Sequence, residues 1–162
     1  METSAADPRS ETQSADAETP PRIGYWHIWT DDQGVSRQSR CALEHFFLKG
    51  IGGAAAQWND VQPEERASVV FTVQPVGWVG EWHENPAPQW IVPLAGRWWV
   101  ESMDGTRVEM GPGELSLGED QHCVADAHGR KGHRSGTIGS EPAVLMTVRL
   151  SHGAPHHPCH KR

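Results

Sequence analysis

A histidine and an amide lie close together in the stretch 77–96, which glycines frame at both ends. His83 and Gln89 belong to a pattern of strand, turn and strand between Gly77 and Gly96. A neutral imidazole is a good ligand for divalent transition metals, and it also accepts or donates a proton near neutral pH. His83 is therefore a candidate for metal binding or proton transfer, with the amide of Gln89 close to it in the sequence.

The spacing in this stretch resembles the first sequence motif of the cupin superfamily. In that motif a glycine precedes two closely spaced histidines, a glutamate and a second glycine. Gly77, His83 and Gly96 match the motif in register. Asn85 stands where the second histidine is usual, and Gln89 stands where the glutamate is usual.

A later region resembles the second cupin motif. It contains the turns Asp104-Gly105 and Gly111-Pro112-Gly113, then a short strand pattern at 115–117, then His133. The resemblance covers 23–150, and over this range the chain is similar to small single-domain bacterial cupins. It implies an all-β chain folded as a jelly-roll β-barrel, in which His133 and the first-motif residues converge inside the barrel.

The resemblance implies a divalent metal held by His83, Gln89 and His133, with manganese, iron, zinc or nickel as the ion. Such a metal acts as a Lewis acid or binds dioxygen, which is typical of lyase, isomerase or dioxygenase chemistry on a small organic molecule. An amide oxygen is a weaker donor than a carboxylate, although some cupins hold manganese or iron with glutamine here. We therefore expect weaker metal binding than at a site with glutamate.

A metal-free cupin is the alternative that the two amides favour. It is either a ligand-binding module or an acid–base enzyme such as a dehydratase or epimerase. His83 or His133 is then the base, and Asn85 and Gln89 hold the substrate by hydrogen bonds. The sequence leaves both classes open.

The stretch from Glu119 to Gly132 is longer than the equivalent loop of such cupins, and we expect it to cover part of the barrel mouth. Its two histidines, His122 and His128, are additional candidate ligands if the loop folds over the site. Further candidates for proton transfer are Glu81, Asp120 and His128, and further candidates for substrate contact are Trp82 and Tyr25.

Apolar residues alternate with a period of two through most of the chain. Tyr25, His27 and Trp29 share one predicted strand face, and 69–73 is a β-branched run. Short strands at even spacing, separated by glycine and proline turns, are typical of a sandwich or barrel. Only Gln38 to Lys49 fits a short helix as well as a strand.

The ends of the chain differ in composition from its body. Residues 1–22 carry five acidic and two basic side chains and no apolar run, which predicts a disordered acidic arm. Residues 151–162 are rich in histidine and predict a flexible tail, with metal binding there only adventitious. The domain boundaries are therefore predicted at 23 and 150.

Charge and cysteine content limit the partners and the location. The net charge of −7, without a basic cluster, argues against nucleic acid. No secretory signal or membrane-spanning stretch is recognisable, so we expect a cytoplasmic protein without a membrane partner. Three cysteines, an odd number without paired spacing, predict a reducing compartment and no disulfide framework.

The tryptophan content predicts a homodimer. Eight tryptophans in a small barrel exceed what one interior buries readily. Trp98 and Trp99 are adjacent, so they face opposite sides of one strand. We expect one of them to leave an apolar patch that pairs with a second copy.

Overall fold

The computed structural model describes residues 19–62, 64, 66–151 and 158–159, and this part of the chain contains strands and no helix. The all-β prediction is therefore confirmed. Most of the predicted acidic arm at 1–22 and histidine-rich tail at 151–162 lies outside the described residues. The eleven strands are β1 Ile23–Thr30, β2 Ser36–Leu43, β3 Phe47–Lys49, β4 Gln57–Asn59, β5 Ala67–Gln74, β6 Gln89–Ala95, β7 Arg97–Ser102, β8 Arg107–Met110, β9 Ser116–Glu119, β10 His133–Ile138 and β11 Ala143–Leu150.

The strands form three sheets. The large sheet has six strands in the order β2-β1-β9-β6-β11-β5, and the small sheet has three in the order β10-β7-β8. β3 and β4 form a separate two-stranded sheet. Within the large sheet, β1 and β9 are parallel and the other pairs are antiparallel.

The main apolar core lies between the large and the small sheet. Side chains of successive strand residues point to opposite faces, so one face of each sheet supplies this core. Ile28 and Ile91 come from the large sheet, and Trp98, Val100 and Met110 come from the small one. All five are buried.

A second apolar cluster lies on the opposite face of the large sheet, which we call the outer face. Tyr25, Cys41 and Leu117 form its buried part, with Trp90 packed against them. Tyr25 pairs with Cys41 in the register of β1 and β2, which fixes both side chains on the same face. His27 follows two residues after Tyr25 and therefore also points to the outer face.

Gly96 forms the corner between the two main sheets. β6 belongs to the large sheet and β7 to the small one, although only Gly96 separates them. Its φ is +65°, and a Cβ there would lie 2.2 Å from the carbonyl oxygen of Pro142. Only glycine fits this conformation and this close approach.

Several local predictions can be compared with the strands. The predicted turn at Asp104-Gly105 joins β7 to the antiparallel β8 and so forms a hairpin. The ambiguous stretch from Gln38 to Lys49 is extended, because it belongs to β2 and β3. No helix long and apolar enough to cross a bilayer occurs in the described ranges.

The predicted apolar patch at Trp98 or Trp99 is wrong, because both side chains are buried. Their exposed fractions are 3% and 5%. Trp98 packs in the core between the sheets. Trp99 points away from that core, but the guanidinium of Arg107 lies 4.0 Å from its ring centroid and that of Arg134 lies 5.7 Å away. These two arginines stack on the ring and shield it from water.

The prediction of no disulfide is also wrong. Cys41 on β2 is bonded to Cys159, 118 residues later, with a Cα–Cα distance of 5.2 Å. The free cysteine of the described residues is Cys123, which is buried. An odd cysteine count and irregular spacing do not reveal this pair, because the fold brings the two residues together only in three dimensions. The cysteine argument for a reducing compartment is thereby removed, and the cytoplasmic location stays a prediction.

Candidate functional site

His83 and His133 are adjacent, although 50 positions separate them in the sequence. Each backbone N–H donates to the other's carbonyl oxygen at 2.8 Å, and the ring centroids are 4.5 Å apart. Gly132 permits this approach, because a Cβ at that position would lie 2.2 Å from the His83 carbonyl oxygen. The structure thus brings together the histidines of the two motifs.

The two imidazoles differ in exposure but are held by the same ring nitrogen. His83 is exposed, and its Nδ1 lies 2.8 Å from the carbonyl oxygen of Glu81. His133 is only 4% exposed, and its Nδ1 lies 2.6 Å from Oδ2 of Asp120. Both neighbouring oxygens accept hydrogen bonds, so both rings carry a proton on Nδ1 when neutral. In each ring the Nε2 lone pair is then available for a proton or a metal.

Asp120 is a buried carboxylate that organises the interior side of this site. Its Oδ1 accepts hydrogen bonds from the backbone N–H of Asn85 at 3.0 Å and from Nδ2 of Asn85 at 2.5 Å. Burial alone would raise the pKa of Asp120. The charge and hydrogen bond of His133 and the hydrogen bonds from Asn85 outweigh that effect and hold the pKa below its ordinary value. Asp120 is therefore ionised at neutral pH.

The two amides continue a chain of hydrogen bonds away from the histidines. Nε2 of Gln89 donates to Oδ1 of Asn85 at 2.5 Å, and Nε of Arg149 donates to Oε1 of Gln89 at 3.4 Å. Asn85 fits here because Gly118 has no side chain. A Cβ at 118 would lie only 2.5 Å from Nδ2 of Asn85. Asn85 and Gln89 are 3% and 7% exposed. They position Asp120, and through it His133, rather than pointing at the histidine rings.

The fit of a metal to this donor set is only partial. The ring centroids of His83 and His133 are 4.5 Å apart, so the pair supplies two neighbouring imidazole donors. The oxygen of Gln89 instead accepts a hydrogen bond from Arg149. No group of three or more histidine, cysteine or acidic side chains among the described residues has an arrangement suited to holding a metal ion.

The loop after β9 folds back onto the segment that carries His83. Glu84 accepts a hydrogen bond from the backbone N–H of Cys123 at 2.7 Å and pairs with Lys131 at 3.0 Å. Asp126 closes the loop internally, and its pKa is lowered by hydrogen bonds from the backbone N–H groups of Arg130 and His128 and from the Arg130 side chain. His128 itself has an exposed side chain.

The two aromatic candidates have different positions. The Trp82 ring lies beneath the guanidinium groups of Arg130 and Arg134, at 5.4 and 5.5 Å, beside the histidine pair. Tyr25 lies on the outer face of the large sheet, where its ring contacts Trp90 at 5.0 Å between centroids. The structure therefore does not bring Tyr25 together with the other predicted site residues.

A second buried acid–base pair lies on that outer face, and the sequence analysis missed it. Nε2 of His27 is 2.9 Å from Oε2 of Glu119, and neither side chain is exposed. The available signal was the alternation of Tyr25, His27 and Trp29, which placed a histidine on a face with two aromatic residues. The parallel pairing of β1 with β9, which supplies Glu119, has no local sequence signal.

Comparison of the sequence with models of known protein families, and with curated proteins, finds no match. The resemblance to cupins therefore stays a prediction, and the residues of the site carry the functional argument by themselves.

Proposed function

We propose that this chain is a jelly-roll protein of the cupin type that binds a small organic molecule at His83 and His133 and moves a proton through His133. This is the acid–base alternative of the sequence analysis, of which dehydratases and epimerases are examples. The observation that carries the proposal is the contact between the buried carboxylate of Asp120 and Nδ1 of His133, beside the exposed ring of His83.

The proposal follows from the roles that this arrangement allows. The carboxylate of Asp120 fixes the tautomer of His133 and stabilises the imidazolium that forms when Nε2 takes a proton. An oriented imidazole of this kind is an effective general base at neutral pH. His83 is the exposed partner, so it is the natural contact for a ligand arriving from solvent. A molecule with an acidic C–H next to a carbonyl group is the substrate class for this chemistry.

Proton exchange in heavy water tests this proposal. Small carbonyl compounds with an adjacent C–H should exchange that hydrogen for deuterium in the presence of the protein, as followed by proton NMR. His133→Ala should lower the exchange rate about 100-fold, because general-base catalysis contributes at least that much. His45→Ala is the matched control, because His45 is exposed and lies outside the site. If no compound exchanges, or if both variants behave alike, the proton-transfer role is wrong.

A divalent metal is the second candidate, and the 4.5 Å separation of the two imidazole rings favours it. His83 and His133 would hold the ion through Nε2. A metal there would supply a Lewis acid for a bound carbonyl or a binding position for dioxygen. Asp120 would then keep the Nε2 lone pair of His133 directed outward, as hydrogen-bonded carboxylates do for metal-ligating histidines.

Metal titration separates the two candidates. The parent protein for this test should carry asparagine at His152, His156, His157 and His160, which removes the tail imidazoles but keeps Cys159 and its disulfide. His83→Ala or His133→Ala should each weaken binding of manganese, iron, zinc or nickel by on the order of 10-fold or more, as measured by calorimetry. Gln89→Ala should change little, because its oxygen faces Arg149. The absence of binding for all four ions would contradict the metal candidate.

We also propose a homodimer, but through a different face from the one predicted. β5 is an edge strand of the large sheet, and its outer face is apolar and exposed. The exposed fractions of Val69, Phe71 and Val73 are 56%, 68% and 64%. Val144 and Val148 on β11 lie beside them in register. An uncharged patch can meet its own copy across a two-fold axis without opposing like charges, even though each chain has a net charge of −7.

Light scattering at micromolar concentration should give about twice the chain mass. Phe71→Glu should convert the protein to a monomer, because it places two like charges at the shared face. Val61→Glu is the matched control, since Val61 is 65% exposed and lies outside the β5 face. A wild-type monomer over a wide concentration range would contradict the dimer.

A further inference from the structure

The two cysteines of the Cys41–Cys159 disulfide differ in their exposure to solvent. Cys159 is exposed, whereas Cys41 is 5% exposed and packs with Tyr25 and Leu117. A thiol reagent from solvent can therefore reach Cys159 but not Cys41. Accessibility of this kind decides which sulfur is attacked in thiol–disulfide exchange.

The same disulfide fixes a backbone group against a buried histidine. The backbone N–H of Cys159 donates to Nδ1 of His27 at 3.2 Å. An N–H group can only donate, so Nδ1 must be the unprotonated nitrogen of the ring. The ring proton is then on Nε2, which lies 2.9 Å from Oε2 of Glu119. In the disulfide-bonded protein His27 is therefore neutral, and its Nε2 lies next to the carboxyl group of Glu119.

We propose that the Cys41–Cys159 disulfide is a site of reversible thiol–disulfide exchange, and that its redox state decides whether Nδ1 of His27 can take a proton. While the disulfide is intact, the N–H of Cys159 occupies the Nδ1 lone pair. Once the covalent link is broken, Cys159 is free to leave and water reaches Nδ1. His27 then becomes an imidazolium paired with the carboxylate of Glu119.

The exchange requires a dithiol as the reductant. A thiolate of the dithiol attacks Sγ of Cys159, the S–S bond breaks, and Cys41 leaves as a thiolate that takes up a proton. The second thiol of the reductant then attacks the mixed disulfide and releases Cys159 as a thiol. The net reaction converts the protein disulfide to two thiols and the dithiol to its own disulfide. Both hydrogens come from the reductant.

The groups around His27 support this coupling. Glu119 approaches from β9, and the Tyr25 ring is 6.4 Å from the His27 ring between centroids on the same strand. Ser39 lies opposite on β2 and accepts a hydrogen bond from Trp29. After reduction the two thiols join this set. Glu119 is an ionisable group 2.9 Å from Nε2, so a proton added at Nδ1 places a positive charge beside its carboxyl group.

The site is independent of the proposed function. His27 and Glu119 lie on the outer face of the large sheet, whereas the side chains of Asp120 and His133 belong to the network on its inner side. Cys123 is a poor exchange partner, because burial raises the pKa of its thiol. The exchange is therefore expected at Cys159 alone.

Nitrogen NMR of the imidazole side chains tests the proposal directly, with dithiothreitol as the reductant. In the oxidised protein, His27 should show one protonated nitrogen, Nε2, that does not change while the protein remains folded. In the reduced protein, and in Cys159→Ser, the Nδ1 signal should shift toward the protonated position as the pH is lowered. Cys123→Ser is the matched control and should behave as the wild type in both states.

Backbone NMR spectra must show that the reduced protein keeps its sheets. If Cys159→Ser does not fold, the wild type reduced in the folded state and alkylated at Cys159 replaces it. Thiol counting in denaturant should give one free thiol before reduction and three after it, since two of the three cysteines are paired. An unchanged His27 signal on reduction, or three free thiols in the protein as isolated under non-reducing conditions, would overturn the proposal.

Discussion

Cys159→Ser should lower the free energy of unfolding by about 2–5 kcal/mol under non-reducing conditions. The reason is the length of the closed loop, because the bond joins residues 118 positions apart and so removes many conformations from the unfolded chain. Cys159 is the better position for the test. It is exposed, whereas a serine hydroxyl at Cys41 would also be buried beside Tyr25 and Leu117.

Urea denaturation with and without dithiothreitol measures this effect and supplies its own control. The reductant should destabilise the wild type and Cys123→Ser to the level of Cys159→Ser, and it should leave Cys159→Ser unchanged. If Cys159→Ser is as stable as the wild type, the disulfide contributes nothing to folding. If the reductant also destabilises Cys159→Ser, it acts on something other than this bond.

Local patterns predicted the strands well, because a strand is recognised from a few neighbouring residues. The alternation around Tyr25 and Trp29 became β1, and the Asp104-Gly105 turn became the hairpin of β7 and β8. Gly96 was matched to a glycine of the first motif, but its place at the corner between two sheets was not predicted. That property depends on the distant Pro142, whose carbonyl oxygen leaves no room for a side chain.

The candidate site was predicted in part, for a similar reason. Two motifs suggested that His83 and His133 converge, and the structure places their rings side by side. The orientation of Gln89 was not predictable, because Arg149, 60 residues away, decides where its oxygen points. Asp120 was named only as one of several loop acids. Its contact with His133 depends on the path of the chain from the end of β9 to the start of β10.

The burial of Trp99 shows how a correct local rule leads to a wrong conclusion. Trp98 and Trp99 do face opposite sides of β7, as adjacent strand residues must. The exposed side was expected to be bare, but arginines from both neighbouring strands cover it: Arg107 on β8 and Arg134 on β10. A long basic side chain buries its methylene groups on a ring while its charge stays in water. The predicted patch is therefore absent, and the exposed apolar face lies on β5 instead.

Asp120→Ala should lower the free energy of unfolding by about 3–5 kcal/mol at pH 7. The substitution removes the acceptor of three buried donors, namely the Nδ1–H of His133 and two N–H groups of Asn85. Each buried donor without an acceptor costs about 1–3 kcal/mol of stability. The effect should also depend on pH. Burial raises the pKa of Asp120, but His133 and Asn85 lower it more. The pKa in the folded protein is therefore below the ordinary value of 3.8.

The direction of the pH dependence follows from that shift. The unfolded chain binds a proton at Asp120 more readily than the folded chain does, so the ionised carboxylate stabilises the fold fully above the unfolded pKa. This contribution is lost as the pH falls below about 4 toward the folded pKa. Urea denaturation at pH 7, 5, 4 and 3 should therefore show that the difference in unfolding free energy between wild type and Asp120→Ala becomes smaller at pH 4 and pH 3.

Asp32→Ala, at an exposed turn position, is the control, and its unfolding free energy should differ little from that of the wild type at every pH. A difference below about 1 kcal/mol at pH 7, the value expected for a single ordinary hydrogen bond, would mean that Asp120 does not organise the site.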